Sequence, residues 1–302
     1  MGVSSRIDTF ATEVGAEGPV TAVGGRTAWG VGGEVAVDAR EVSAPFGVVE
    51  FEPAEMTVRV LAGTTVAALD AAVSEAGQMV VFDAARPEDA TVGGVLAVGR
   101  SGIRRLGYGP VRDTVLQVTY VDAAGRVVRA GGPTVKNVSG FDLCRLLVGS
   151  LGTLGFLAEV VLRCVPRPAV SQWFEGSADP FELRDRLYRP SSLLWDGTTV
   201  WLLLEGHGAD VEAQAELAGL EPTDGPPPLA TGGRQSLRPR ELRDLTGTFV
   251  AEVGVGVVHR SEPVAPPAVA PETVKLGRTI KASLDPTGRL NPGRLVHPGV
   301  AA

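Results

Sequence analysis

Glycine is spread so densely along this 302-residue chain, 39 residues with 22 prolines beside them, that few stretches can stay helical for long before a turn intervenes. A glycine inside a helix costs about 1 kcal/mol relative to alanine, and a proline about 3 kcal/mol. A helix bundle is therefore not expected, and a fold of short strands and short helices is. The chain is 44% hydrophobic and long enough to bury a substantial core. The net charge of −7 argues against a nucleic-acid partner, which clustered cations would have to hold. No apolar stretch approaches the roughly 20 residues of a membrane span. The first residues lack the basic-then-apolar layout of a secretory signal. A cytoplasmic protein is expected. Cys144 and Cys164, the two cysteines, are too few for an iron–sulfur or structural zinc site and are expected as buried free thiols, with no metal site elsewhere.

β-Branched runs at 35–38, 48–51, 57–61, 115–121 and 126–130 predict strands. Residues 122–125, Asp-Ala-Ala-Gly, turn the last two into a hairpin. Helical spacing of Val66, Leu69, Ala72 and Val73 predicts a helix over 65–76, ended by Gly77, and a second helix is expected over 141–148. Beyond residue 168 the pattern loosens: strands are expected at 200–205 and 248–258, a helix at 210–220, an exposed proline-rich turn at 221–229 and a proline-stiffened linker at 261–271. A final helix over 273–284 stops at Asp285-Pro286. The fold class is α+β.

Three glycine-rich constellations carry the chemistry. Gly24, Gly25, Arg26 and Thr27 follow a short apolar run, and adjacent glycines let backbone N–H groups turn towards an anion. Thr91, Gly93 and Gly94, continuing to Ser101 and Gly102, permit close approach of a flat or charged ligand, or simply a tight helix start against a sheet. Arg112 and Asp113 follow, and guanidinium groups near such loops suit a pyrophosphate. The third constellation places Lys136, Asn137 and Gly140 ahead of a helix, then Gly152, Thr153 and Gly155 around a turn. Each alone is compatible with turn and capping chemistry; all three in order are harder to explain that way.

The stretches TVGGVLAVGRSGIRR, GPVRDTVLQV, GGPTVKNVSGFDLCRLLVGSLGTLG and LRCVPRP, between Thr91 and Pro168, closely resemble the FAD-binding domain of glycolate oxidase E subunits, within the vanillyl-alcohol-oxidase superfamily. VGGRT at 23–27 sits where that superfamily wraps the FAD pyrophosphate, and LDPTGRLNPGR at 284–294 resembles its C-terminal signature. The resemblance implies a two-lobed PCMH-type FAD-binding domain over 1–168, a small α+β cap or substrate domain over 169–270, and a C-terminal helix and NPGR tail over 271–302 that returns to the FAD domain. It assigns Gly24, Gly25, Arg26 and Thr27 to the pyrophosphate, and Thr91, Gly93, Gly94, Ser101 and Gly102 to the flavin side. Gly152, Thr153 and Gly155 fall to the ribityl or adenosine half, Lys136 and Asn137 near the flavin, and Glu159 and Val160 at the adenine end.

Two departures shape the functional expectation. Covalent members carry a histidine where this chain has Arg26-Thr27, and its histidines are His207, His259 and His297, so non-covalent FAD is expected. The GDGNxH-type motif of the related catalytic subunits and D-lactate dehydrogenases is absent. His259, after Gly254 and Gly256, and Lys136 are the only catalytic candidates, and no general base is assigned. The resemblance implies an FAD subunit of a glycolate (2-hydroxy acid) oxidase or dehydrogenase, with a D-like flavoprotein and an iron–sulfur subunit as partners. Through such a complex it would sit at the inner face of a membrane. The rival readings are a self-sufficient FAD oxidoreductase acting on another alcohol or hydroxy acid, and a non-catalytic FAD-binding scaffold.

Overall fold

The structure is a computed structural model that describes residues 2–132, 142–265 and 268–294. Its contacts divide the chain into two compact units: Met1–Ser101, Pro110–Arg167 and Ala268–Ala302 form one, Gly102–Gly109 and Pro168–Pro267 the other.

The first unit opens with α1 (Val3–Val14), whose Ile7, Phe10, Ala11 and Val14 are buried. Two short parallel strands follow, β1 (Val20–Ala22) and β2 (Arg40–Val42). Next come β3 (Val48–Glu52), β4 (Thr57–Leu61), α2 (Val66–Ser74), β5 (Gln78–Met79) and α3 (Val92–Val98). The short helix α4 (Arg105–Tyr108) falls in the stretch that belongs to the second unit. The first unit resumes with β6 (Val115–Val121), β7 (Val127–Gly131), α5 (Leu143–Leu147), β8 (Phe156–Arg163) and β9 (Val165–Pro166). Its five-stranded antiparallel sheet has the order β3-β4-β8-β6-β7. Apart from Arg163 at its end, β8 is buried throughout, as a central strand covered on both faces should be. Val58, Val60, Val118 and Leu162 pack with Leu69 of α2, Leu96 of α3 and Leu147 of α5. Leu61, Val121, Phe156 and Ala158 pack in a separate cluster with α1 and with Leu290.

The 115–121/126–130 hairpin forms as expected, and Asp122 is the reason it closes: its Oδ1 accepts from Ala124 N and Arg126 N, both at 2.9 Å, with Gly125 at φ 74. The strand expected at 35–38 does not form. Its backbone bonds go elsewhere: Ala36 N donates to Pro292 O at 2.9 Å, Ala39 N donates to Ala36 O at 3.1 Å, and Val37 is fully exposed. The helix expected over 141–148 is shorter, because Asp142 caps it by accepting from Arg145 N.

The second unit holds β10 (Val170–Gly176), α6 (Pro180–Arg186), β11 (Ser192–Trp195), β12 (Val200–Gly206), α7 (Gly208–Ala218), β13 (Glu221–Thr223), β14 (Gly233–Ser236), β15 (Phe249–Glu252) and β16 (Val257–Arg260). They form a seven-stranded antiparallel sheet of order β13-β10-β12-β11-β15-β16-β14. Val200, Leu202 and Leu204, at the strand period of two, pack with Leu183 of α6, Val211 of α7 and Leu106 of α4. The single strand expected at 248–258 is a hairpin, because Gly254 and Gly256, both at φ 86, reverse the chain in its middle. The turn expected at 221–229 begins as the edge strand β13, where Pro222 is tolerated because an edge position needs no second ladder bond.

The last helix, α8 (Pro271–Leu284), belongs to the first unit and lays Ile280 and Leu284 against its core. Both cysteines are buried and free.

Candidate functional site

β1 and its neighbours deliver the first glycine-rich loop. Val23 N donates to Val42 O at 2.8 Å, which ends the strand pair, and the chain then turns outward through Gly24, Gly25 and Arg26. Arg26 is left-handed at φ 53. The N–H groups of Gly24, Gly25 and Thr27 have no acceptor among the described residues, and all three residues are exposed. A run of exposed backbone donors around a left-handed residue is the kind of loop that can receive an anion. A Cβ on Gly25 would stand 1.7 Å from the backbone oxygen of Asp89, so only glycine fits there, and one on Gly24 would stand 2.4 Å from Thr91 Oγ1 and displace that side chain.

α3 organises the second and third loops. Thr91 caps it, its Oγ1 accepting from Gly94 N at 3.1 Å, while Gly93 N donates to Ala62 O at 2.7 Å. Those two amides are already used, so this loop offers a ligand closeness rather than free donors. At the other end of α3, Leu96 O and Ala97 O accept from Gly149 N and Leu151 N at 2.9 and 2.8 Å, which hangs the 150–155 turn on the helix. Leu151 is left-handed at φ 53 and Gly152 at φ 70, while Thr153 is buried with its hydroxyl donating to Ser150 O at 2.7 Å.

The three loops meet. Gly24, Thr91, Gly93, Gly94, Gly152 and Gly155 line one cleft, together with Ala22, Ala62, Gly63, Ala97, Ser150 and Asn291. Glycine and alanine make up more than half of its lining, and Val23, Leu147, Phe156 and Leu157 add an apolar wall, so both main chain and hydrophobic surface face a ligand there. Of the five non-glycine residues with positive φ among those described, Arg26, Leu151 and Asn291 lie at or beside this cleft. Backbone strain gathers where function over-determines geometry.

Arg26, beside the cleft, is committed to Glu41 at 2.6 Å and stacks on Trp29 at 4.5 Å. The remaining candidates lie elsewhere. Arg112 and Asp113 occupy a short turn before β6, where Asp113 pairs with Arg145 at 2.9 Å; neither lines the cleft. Ser101 Oγ accepts from Val111 N at 3.0 Å, and Gly102 groups with the second unit. Glu159 and Val160 are buried in β8, Glu159 accepting from the Thr119 hydroxyl at 3.4 Å. Lys136, Asn137, Gly140 and His297 lie outside the described residues. His259, in the second unit, sits on β16 with its Nε2 2.8 Å from Glu252 Oε1, both side chains largely buried.

The sequence reading missed two groups. In the second unit, Ser171 Oγ donates to Glu205 Oε1 at 3.0 Å, Arg104 stands 3.8 Å from the same oxygen, and burial aided by Glu205 pushes the Tyr108 phenol up to about 12. In the first unit, the C-terminal signature is tied into the loops by buried charges. Lys281 Nζ donates to Asp285 Oδ2 at 2.5 Å, Thr153 O at 2.8 Å and Leu290 O at 3.2 Å. Asp285, 1% exposed, accepts from Arg289 N and Leu290 N. Arg289 donates to five carbonyls, those of Gly18, Gly15, Ala123, Val14 and Glu17. A guanidinium has five N–H groups, so this one is fully satisfied despite its burial. The signal available in sequence was Lys281 four residues before Asp285, the spacing of a helical ion pair.

Comparison with known proteins gives the cleft a context. Residues 9–131 match the family described as FAD binding domain, and residues 240–295 match that of FAD linked oxidases, C-terminal domain. The chain is 36% identical over 187 residues to glycolate oxidase subunit GlcE of Escherichia coli, covering 59% of this chain and 53% of that protein. It is also 36% identical over 121 residues to glycolate oxidase subunit GlcD of Bacillus subtilis, covering 40% of this chain and 26% of that protein. The match thus spans about half of the first relative and about a quarter of the second. Among solved structures, an alkyldihydroxyacetonephosphate synthase shares the fold, with a TM-score of 0.67 over 96% of this chain and 74% of that one at 13% identity.

Proposed function

We propose that this chain, which matches the FAD binding domain over residues 9–131 and the C-terminal domain of FAD linked oxidases over residues 240–295, is the FAD-binding subunit of a glycolate or related 2-hydroxy-acid dehydrogenase that passes electrons to a partner subunit. The observation that carries this reading is the convergence of three glycine-rich loops, distant in sequence, on one cleft of small residues in the first unit. That cleft suits FAD: exposed backbone donors stand beside it at one loop, and glycines bring main chain to its surface at the other two.

In this reading the N–H groups of Gly24, Gly25 and Thr27 hold the pyrophosphate, and Arg26, braced by Glu41 and Trp29, adds positive charge beside it. Thr91, Gly93 and Gly94 let the ligand lie against α3, and Gly152, Thr153 and Gly155 close on its other half. Ser101, Gly102, Arg112 and Asp113 do not line the cleft, and the backbone of Glu159 and Val160 is paired with strands on both sides, so none of the six is given a contact with the cofactor. Lys136, Asn137 and Gly140 keep the flavin-side assignment that the family resemblance implies. Bound FAD supplies a two-electron acceptor for oxidation of an alcohol carbon, and the protein's share is binding, orientation and electrostatics. No histidine occupies the first loop, so the cofactor is held without a covalent bond. With two buried cysteines the chain has no ligand set for an iron–sulfur cluster, so electron exit falls to an iron–sulfur partner beside a D-like flavoprotein. No helix among the described residues is long and apolar enough to cross a membrane, and a place at the inner face would come through that complex.

One observation favours the scaffold reading in part: His259, the described histidine nearest to a catalytic pattern, is already engaged by Glu252. Two measurements separate the readings. Purified protein is expected to be yellow and to release all its flavin on acid precipitation; flavin retained on the polypeptide overturns non-covalent binding. Anaerobic addition of glycolate, lactate or 2-hydroxyglutarate is expected to bleach the flavin. Bleaching only when the partner subunits are added supports an accessory subunit, and none in either case removes the dehydrogenase reading.

A further inference from the structure

We propose that residues 285–294 act as a clamp that sets the width of the cofactor cleft, with Asn291 as its positioning residue; this rests on the FAD reading above. Asn291 is 7% exposed and lines the cleft. Its Oδ1 accepts from Ala22 N at 3.1 Å, and its Nδ2 donates to Leu151 O. Ala22 is the last residue of β1, where the chain leaves for the Gly24–Thr27 loop, and Leu151 opens the turn that carries Gly152. One planar amide therefore bridges the two loops and holds them at the distance between its own oxygen and nitrogen.

The bridge cannot drift, because its backbone is fixed on both sides. Asn291 N donates to Val20 O at 2.9 Å, and Arg294 N donates to Asn291 O at 3.1 Å. Leu290 is fully buried and pairs with Val20 as an added parallel bridge beside β1. Arg289 locks the preceding residue into five carbonyls, and Arg294 donates to Val31 O and Gly33 O beyond the first loop. The approach is so close that a Cβ on Gly152 would stand 2.7 Å from the Asn291 amide nitrogen. Asn291 and Leu151 are both left-handed, at φ 46 and 53, so the side chain of one strained residue holds the carbonyl of the other. Only an amide of this length offers an acceptor to Ala22 and a donor to Leu151 at once.

Asn291→Asp tests this without changing shape. The carboxylate still accepts from Ala22 N, but its second oxygen faces Leu151 O and repels it until it is protonated. FAD affinity of deflavinated protein, titrated by flavin fluorescence between pH 5 and pH 8, is expected to be flat for the parent chain. For Asn291→Asp it should weaken by roughly tenfold as pH rises, the effect of losing one buried hydrogen bond. Asn291→Ala should bind about as weakly as the high-pH Asp form at every pH, and added FAD should raise its melting temperature less than it raises the parent's. A parent that binds FAD beside an Asp variant of equal, pH-independent affinity overturns the clamp and leaves the cofactor reading standing. A parent that binds no FAD at any pH overturns both. If Asn291→Ala does not fold, the Asp titration alone decides.

Discussion

The two units place their unsatisfied groups differently. In the first, left-handed Arg26, Leu151 and Asn291 gather at or beside one cleft, and the amides of Gly24, Gly25 and Thr27 have no acceptor among the described residues. In the second, a seven-stranded sheet carries buried carboxylates with protein partners, Glu252 with His259 and Glu205 Oε1 with Ser171 and Arg104, while Glu205 Oε2 and the Ser192 hydroxyl are buried without a hydrogen-bond partner among the described residues. The difference lies in where these open groups sit: on exposed backbone of irregular loops in the first unit, on buried side chains of a regular sheet in the second.

The largest effect should come from crowding the first loop. Gly25→Val places a branched side chain where even a methyl group would stand 1.7 Å from Asp89 O, so a loss of more than about 3 kcal/mol is expected. The protein should be largely insoluble and colourless. The matched change in the second unit, Gly225→Ala, meets nothing within 4 Å and should leave the thermal melt unmoved. A yellow, stable Gly25→Val protein would break the contrast at its strongest point.

Next is Gly152→Ala. Its left-handed φ of 70 costs a side chain about 1–2 kcal/mol, and the added methyl group presses on the Asn291 amide. We expect flavin affinity to fall about tenfold with far-UV circular dichroism unchanged; full flavin occupancy would move the site away from this turn. A smaller effect is expected in the second unit. His259→Gln leaves the buried Glu252 with a poorer partner and should lower the melting temperature by a few degrees, on the scale of about 1–3 kcal/mol, with flavin stoichiometry intact. A hundredfold loss of turnover at full flavin content would instead make His259 catalytic and end the description of the His259–Glu252 pair as structural.

The smallest effect is a negative one. Burial pushes the Cys164 thiol up to about 11, so at pH 8 it stays protonated, and Cys144 is also shifted upwards by burial. A thiol reagent should leave both untouched in native protein and modify both after denaturation. Rapid labelling in the native state would show that the core of the first unit opens.

How much of this was legible in sequence depends on how local the cause is. The 115–121/126–130 hairpin was readable because Asp122 and Gly125 dictate it within a few residues. The cleft glycines were readable because close approach leaves clusters such as Gly24-Gly25 and Gly93-Gly94. The missing strand at 35–38 was not, since its backbone bond goes to Pro292, at the far end of the chain. The 248–258 segment looked continuous because apolar periodicity outweighed two glycines whose positive φ only the structure shows. Asn291 went unnoticed as a site residue because nothing near it in sequence reveals that its amide reaches Ala22 and Leu151.

That long reach has a consequence for how the protein is made. Ala22 and Asn291 are 269 residues apart, so β1 and the loop that follows it leave the ribosome long before the side chain that holds them. Pairing such distant segments is slow because loop closure must precede any reward, so this bridge is expected to form late in folding, after the strands and helices it joins.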